Sequence, residues 1–564
     1  MPTLFRSLAE LLEKIESTRK RTEITSLVAE FLKSLELDEV EPAVSLILGR
    51  AFPKWSQKTL EVSGATLMEN LKRATNVDWT GFSDEFSKTG DIGSAAMAVF
   101  EKSKVKRQAV LFQEPLTILQ VRRSMEAISD ATGSGSREKK ERLMTVLFSQ
   151  AQPLEAKYLV KVFIGEMRTG LHEGLLALAV AKAFNVPPSA VQRASMALGD
   201  LGEVAAFAKT GGAKSLSQVA FKIFRPVQLM LAQVADDVAE AVEEHGGETA
   251  FEYKYDGARV QIHKLGNEVQ IFSRRLTNVT QSLPEIVEAV KCNVASVEAI
   301  FEGEVVAVDS AGVPIPFQHL MRRFKRVHDV KGTAEKIPVR LYLFDILYLD
   351  GKSLITLPYV ERRKILSENT GEIPLTTQII TGNREEAEKF LNAALDAGHE
   401  GLMAKKLDSP YMPGKREKRW FKIKPVLEPL DLVITAAEWG YGRRHNWLSD
   451  YYLAARDSET GEFLTVGKTF KGLTDAEIIE MTQRLKKLSV MERRHRVEVL
   501  PRIVVQVAYN EIQMSPKYKS QMALRFARIT RVRPDKGPGE ADTIQRVRAI
   551  YEQQFAKKGR YKTG

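Results

Sequence analysis

Apolar residues recur at helical spacing through the first 220 residues. Leu8, Leu11, Leu12 and Ile15 fall at i, i+3, i+4 and i+7, and Ile24, Leu27, Val28, Phe31, Leu32 and Leu35 repeat the pattern over three turns. Further amphipathic runs lie near 155–168 and 174–184. Ala131 to Lys140 (ATGSGSREKK) and Lys209 to Ala213 (KTGGA) have loop composition and are expected to break the helices. From about residue 250 the period shortens to two. FEYKYDGARVQIHK and EVQIFSRR alternate about Leu265-Gly266-Asn267, which predicts a hairpin turn. IFEGEVVAVD, VRLYLFDILYL, GLMAKKL and RWFKIKP are further strand candidates, with helical patterns between them at 283–291 and 384–397. After Leu430 the strands are short: LVITAAEW, RIVVQVAYNEI and ALRFARIT. The pattern predicts a multidomain chain, all-α over 1–220, α+β over 221–428, and β-rich over 429–564, where short strands permit a small barrel.

Composition narrows the class. Of 564 residues 44% are apolar and 27% charged, an ordinary globular balance that excludes a wholly disordered chain. The longest apolar run, Leu175 to Ala181, is far short of the ~18 residues that span a bilayer. The N-terminus MPTLFRSLAELLEKIE turns amphipathic and acidic without a signal-peptide apolar region, so a cytoplasmic protein is expected. The single cysteine, Cys292, allows no disulfide within the chain and no zinc site of several cysteines. The net charge is +11, and residues 429–564 hold 25 Lys/Arg against 16 Asp/Glu, a net of +9. Such a basic region suits a polyanion such as nucleic acid, although charge alone fits a merely basic surface equally well.

The sharpest local feature is Glu252-Tyr-Lys254-Tyr-Asp256-Gly-Ala-Arg259. On a strand, Glu252, Lys254 and Asp256 share one side and Tyr253 and Tyr255 the other. In isolation a lysine between two carboxylates is an ordinary salt bridge. The rest of the chain changes that reading. Ser273-Arg274-Arg275, Phe301-Glu302-Gly303-Glu304, Leu343-Phe344-Asp345-Ile346-Leu347, Glu400-Gly401-Leu402-Met403-Ala404-Lys405, Trp420-Phe421-Lys422-Ile423-Lys424 and Arg531-Val532-Arg533-Pro534-Asp535-Lys536 follow in that order.

Together these segments resemble the motif series of the covalent nucleotidyltransferases, and over the whole chain the ATP-dependent DNA ligases of archaeal–eukaryotic replicative type, most of all the archaeal ones. GEMRTGLHEGLLALAVAKAF at 165–184 resembles part of their helical DNA-binding domain. The resemblance implies a helical DNA-binding domain (1–220), an adenylation domain (221–428) and an OB-fold (429–564). It implies nick sealing in replication, repair and recombination through lysyl-AMP and DNA-adenylate. A capping-type enzyme shares the lysine motif but prefers GTP and lacks such a helical region. An RNA ligase lacks that region too, and an NAD-dependent ligase carries a four-cysteine zinc module that one cysteine excludes. A non-catalytic DNA-binding scaffold is the reading from another class.

The resemblance also implies roles. Lys254 is the nucleophile, which must be neutral to attack although a free lysine has pKa ≈ 10.4. Glu252 reads the adenine amino edge and Phe344 stacks on the base. Arg259, Arg274, Arg416, Lys422 and Lys424 line the anionic path, the last two sharing a strand face. Glu304 and Glu400 are candidates for Mg²⁺, which needs only one or two carboxylates; whether Mn²⁺ substitutes stays open. Lys405 matches a nucleotide or DNA contact. Arg533, Asp535 and Lys536 belong to a motif that swings onto the ATP phosphates for the first step. Nicked duplex DNA is bound without sequence preference, with Arg168 and Gly170 as backbone-contact candidates. Gln108, Leu111 and Phe112 resemble the plug by which related ligases dock on the sliding clamp, except that Leu111 stands where the second aromatic is usual. A monomer is expected.

Overall fold

The computed structural model describes residues 2–103, 115–325, 337–414, 416–425, 427–493 and 495–555. Helices fill the N-terminal part, from Phe5–Ser17 to Leu201–Ser217. The stripe Leu8, Leu11, Leu12 and Ile15 is buried as its spacing predicts, and joins Val28, Leu32, Leu159, Val180 and Val204 in one core. One expected loop is corrected and the other proves to be a kink. Only the first half of Ala131 to Lys140 is loop: Gly135, at φ +75°, caps a helix Ser136–Gln150, and Lys140 lies along it with Nζ 3.0 Å from the Leu60 carbonyl. The Lys209 to Ala213 stretch lies inside Leu201–Ser217 as a kink, where Gly211 and Gly212 leave helical geometry. In the first stretch a buried face carries the helix back through Ser and charged residues, whereas in the second the two glycines do interrupt it.

Residues 218–230 carry the chain, without helix or strand, to β1 (Leu231–Ala235). The central part holds two five-stranded sheets. One has the order β1-β10-β9-β2-β8, with β2 Thr249–Tyr253, β8 Gln378–Thr381, β9 Leu402–Lys406 and β10 Arg416–Ile423. The other runs β4-β3-β5-β6-β7, with β3 Ala258–Leu265, β4 Glu268–Ser273, β5 Glu298–Ala307, β6 Val339–Leu349 and β7 Lys352–Ser353. The predicted hairpin turn lies between β3 and β4, with Gly266 at φ +55°. Along β3, Val260 and Ile262 enter the sheet's apolar core, leaving Arg259, Gln261 and His263 on the opposite face.

The C-terminal part is β-rich around its own core. Its long strand β11 (Leu430–Trp439) pairs with β12 (Leu448–Arg456) on one side. On the other side it pairs first with Val504–Ala508 and then with Arg496–Val499.

Two close backbone approaches shape the cleft between the central sheets. A Cβ on Gly257 would lie 2.4 Å from the Val305 carbonyl oxygen, which lets the turn after Lys254 press against β5. Gly401, at φ +135°, would place a Cβ 2.2 Å from the Ile423 carbonyl oxygen. Its own carbonyl accepts from the Lys254 N–H and the Glu400 N–H donates to the Lys254 carbonyl, each at 2.8 Å. Gly401→Ala should therefore cost about 2 kcal/mol or more, from backbone strain plus overpacking. Gly266→Ala, where nothing lies within 4 Å, should cost about 1 kcal/mol from its φ alone. Denaturant unfolding midpoints of the two variants test the difference.

Candidate active site

The cleft is built around a buried carboxylate. Glu252, at the end of β2, is 1% exposed. Tyr359 Oη and Gln378 Nε2 donate to its Oε1, the latter at 3.2 Å, and Lys405 Nζ lies 2.8 Å from its Oε2. Burial pulls the Lys405 pKa down, and the Glu252 charge only partly restores it. The Lys405 ammonium also lies 4.5 Å from the ring centroids of both Phe344 and Trp420, close enough for cation–π attraction. Phe344 comes from β6 in the other sheet, so this cation joins the two sheets at the floor of the cleft.

Arg259 forms the adjacent wall. Its guanidinium donates to the Met230 carbonyl at 2.7 Å and to Glu302 Oε2 at 2.6 Å, and sits 5.2 Å from the Phe344 ring centroid. Tyr411 Oη donates to the other Glu302 oxygen at 2.7 Å. Glu304 lies opposite Arg259 across the β3–β5 ladder, two residues from Glu302 and on the same face.

Lys254 lies just beyond β2, and its ammonium pairs with Glu400 Oε2. The same oxygen takes Lys424 Nζ at 2.6 Å. Burial disfavours the charged Glu400, but the two lysines outweigh it and hold its pKa at about 2. Burial likewise works against a charged Lys254, and Glu400 and Glu304 more than offset it, so its pKa is raised. Burial, with Lys254 beside it, pulls the Lys424 pKa down. Lys422 is pulled down by burial and then by Lys424, Lys254, Arg416 and Arg274, so these cations crowd one region although Arg274 and Arg416 are exposed. Glu304 goes the other way: burial pushes its pKa to about 7 against the pull of Lys254 and Arg259. No hydrogen bond to its carboxylate forms among the described residues.

Such a site joins an apolar, aromatic floor holding a buried hydrogen-bonding carboxylate to a mouth dense in cations. It suits a purine nucleotide with its phosphates outward. The family model described as ATP dependent DNA ligase domain matches residues 229–424. The DNA ligase N terminus model matches 4–179, and the ATP dependent DNA ligase C terminal region model matches 444–536.

The chain belongs to the ATP-dependent DNA ligases.

It is 47% identical over 551 residues to the DNA ligase of Thermococcus fumicolans, covering 97% of this chain and 98% of that one. With DNA ligase 1 of Korarchaeum cryptofilum it shares 48% over 556 residues, or 98% and 99% of the two chains. The solved structure Pmar-Lig_PreS3 shares the fold at TM-score 0.59 and 17% identity, covering 93% of this chain and 99% of its own.

Other residues expected at the ligase's site lie elsewhere. Arg533 Nη1 and Lys536 Nζ bind Asp431 Oδ2 at 2.9 and 2.7 Å, and Arg533 also pairs with Asp535. That motif is thus docked on the C-terminal part's own first strand. Arg168 (φ +53°) and Gly170 (φ +79°) lie in the turn between Pro153–Ile164 and Glu173–Ala183. A Cβ on Gly442 would lie 3.4 Å from Arg168 Nη1, so Arg168 stands at the seam with the C-terminal part. Gln108, Leu111 and Phe112 lie outside the described residues. Lys405, at 1% exposure, is a pocket residue and not a surface DNA contact.

Several pocket residues escaped sequence reasoning. Glu302 was legible in principle, because period two puts it on the face of Glu304. The helix Tyr359–Asn369 turns Tyr359 to Glu252, Arg362 to Asp345 (2.8 and 2.9 Å) and Arg363 to Thr376, an i, i+3, i+4 set. Tyr411 and Gln378 sit in segments with no local signal.

Glu252→Gln leaves the Lys405 ammonium buried without its counter-ion and should cost about 3–5 kcal/mol; Lys405→Met strands the carboxylate at a similar cost. The double variant should recover much of the loss. A double-mutant cycle on unfolding free energies measures this coupling, and additive losses would show that the pair is not energetically linked.

Proposed function

We propose that this ligase joins DNA 3′-hydroxyl and 5′-phosphate ends at nicks through two covalent adenylates, with Lys254 as the nucleophile. The observation that carries the reading is the convergence of Lys254, Lys424, Glu400 and Glu304 at the mouth of the pocket floored by Phe344. In the first step Lys254 Nζ attacks the α-phosphorus of ATP. A P–N bond forms, the bond to the α,β-bridging oxygen breaks, and pyrophosphate leaves with the electron pair while the amine gives up a proton. A DNA 5′-phosphate oxygen then attacks the same phosphorus and displaces the lysine, which regains its proton. Finally the 3′-oxygen attacks the 5′-phosphorus, the phosphodiester forms, and AMP leaves.

Glu252 accepts from the adenine amino group and Phe344 stacks on the base. Arg259 fixes the pocket wall, while Arg274, Arg416, Lys422 and Lys424 draw in the phosphates. While Glu400 is paired with it, Lys254 keeps the proton that must leave before the attack. Glu304, half-buried and without a hydrogen bond among the described residues, together with Glu400 offers a hard oxygen pair that fits Mg²⁺. Bound there, the ion would neutralise phosphate oxygens; Mn²⁺ offers the same chemistry. Residues 1–220 grip the duplex by its backbone, with Arg168 and Gly170 among the contacts, 221–428 carry adenylylation, and 429–564 bring Arg533, Asp535 and Lys536 to the phosphates for the first step. Gln108, Leu111 and Phe112 form a clamp-docking plug on a monomeric enzyme.

Self-adenylylation is the test. With Mg²⁺ and α-labelled ATP, label should stay on the denatured protein, and Lys254→Ala should take none. Transfer from GTP alone would replace the reading by a capping-type one. Absence of label from pyrophosphate-stripped wild-type protein would leave a DNA-binding scaffold.

A further inference from the structure

Residues 218–230 join the helical part to β1 and are held at both ends. On the helical side, Arg225 Nη1 donates to both carboxylate oxygens of Glu203 at 2.7 Å, and its guanidinium lies 3.8 Å from the Trp55 ring centroid. Trp55 Nε1 donates to the same Glu203 at 3.1 Å. On the pocket side, the polar face of β3 receives the segment residue by residue. The Phe224 N–H donates to His263 Nδ1 at 3.1 Å, and the Val227 N–H to Gln261 Oε1 at 2.9 Å. Arg259 takes the Met230 carbonyl at 2.7 Å, and the Met230 N–H donates to Tyr411 Oη at 2.8 Å. His263 is buried and its pKa is pulled down to about 3 by that burial, so it serves as a neutral acceptor. One apolar cluster spans the whole path, from Met196 in the helical part through Val227 and Met230 to Phe344 and Trp420.

We propose that this strap is the outer wall of the ATP pocket and that Arg225 is a positioning residue for adenylylation. Its hold on Glu203 and Trp55 sets the Met230 carbonyl, which sets Arg259 against Phe344. The helical part would then tune nucleotide affinity as well as grip DNA. The proposal rests on the assignment of the Phe344 pocket to ATP.

The test is self-adenylylation of the full chain without DNA, followed against ATP concentration. Arg225→Ala should raise the ATP KM about tenfold, as expected when a pocket wall is loosened from outside, and leave the rate at saturating ATP within about twofold. Arg225→Lys should recover only part of the loss, because an ammonium can reach Glu203 but cannot stack as a plane on Trp55. Glu203→Gln should move KM the same way, and decides the matter if Arg225→Ala does not fold. An unchanged KM in both variants at an unchanged unfolding midpoint overturns the proposal. Phe344→Ala run alongside separates the causes: if it too leaves KM unchanged, the pocket is not the ATP site and the proposal falls with that assignment.

Discussion

The pocket depends on one buried charge. A carboxylate taken out of water as completely as Glu252 has to be met by donors, and here they come from three separate elements: the helix Tyr359–Asn369, β8 and β9. Satisfying it fixes the helix against the sheet and brings Lys405 beneath Phe344. Lys405 in turn, at 1% exposure, has Glu252 as its strongest opposing charge against the pull of burial. This end of the cleft is therefore rigid for the same reason that it is costly to build, and needs little rearrangement to receive a ligand.

The cation-rich end follows the opposite rule. One oxygen of Glu400 pairs with both Lys254 and Lys424, and Glu304 is left with a pKa near 7. Groups that are this unevenly paired respond strongly to an incoming polyanion or divalent ion. One end of the cleft is electrostatically closed and the other poised, and the residues that separate them, Glu252 and Lys254, are only two apart.

Much of this was legible in the sequence, because strand alternation carries so much of it. Period two places Lys422 with Lys424 and Glu302 with Glu304, and the ordered motifs tie those strands to Lys254. Lys254 itself lies one residue past β2, where backbone bonds to Glu400 and Gly401 take over from the ladder. Local pattern could not foretell the partners drawn from afar. Tyr359, Gln378 and Tyr411 reach Glu252 or Glu302 only through tertiary packing, and nothing in their neighbours marks them. Nor does loop composition reveal that ATGSGSREKK becomes helical from Ser136, since its buried face starts with the charged Lys140 and Glu141 and turns apolar only at Met144, Leu147 and Phe148.

The order of strands has a consequence for how the enzyme is made. β1 begins at Leu231, yet it pairs in parallel with β10, which ends at Ile423, and β10 lies between β1 and β9. This sheet, which leads into Lys254, therefore stays open until nearly two hundred further residues have left the ribosome. Until β10 emerges β1 has no strand to pair with, an open edge of the kind that slows folding and invites wrong partners. The helical part, whose core is complete by Leu216, can fold first and hold the growing chain on a finished surface.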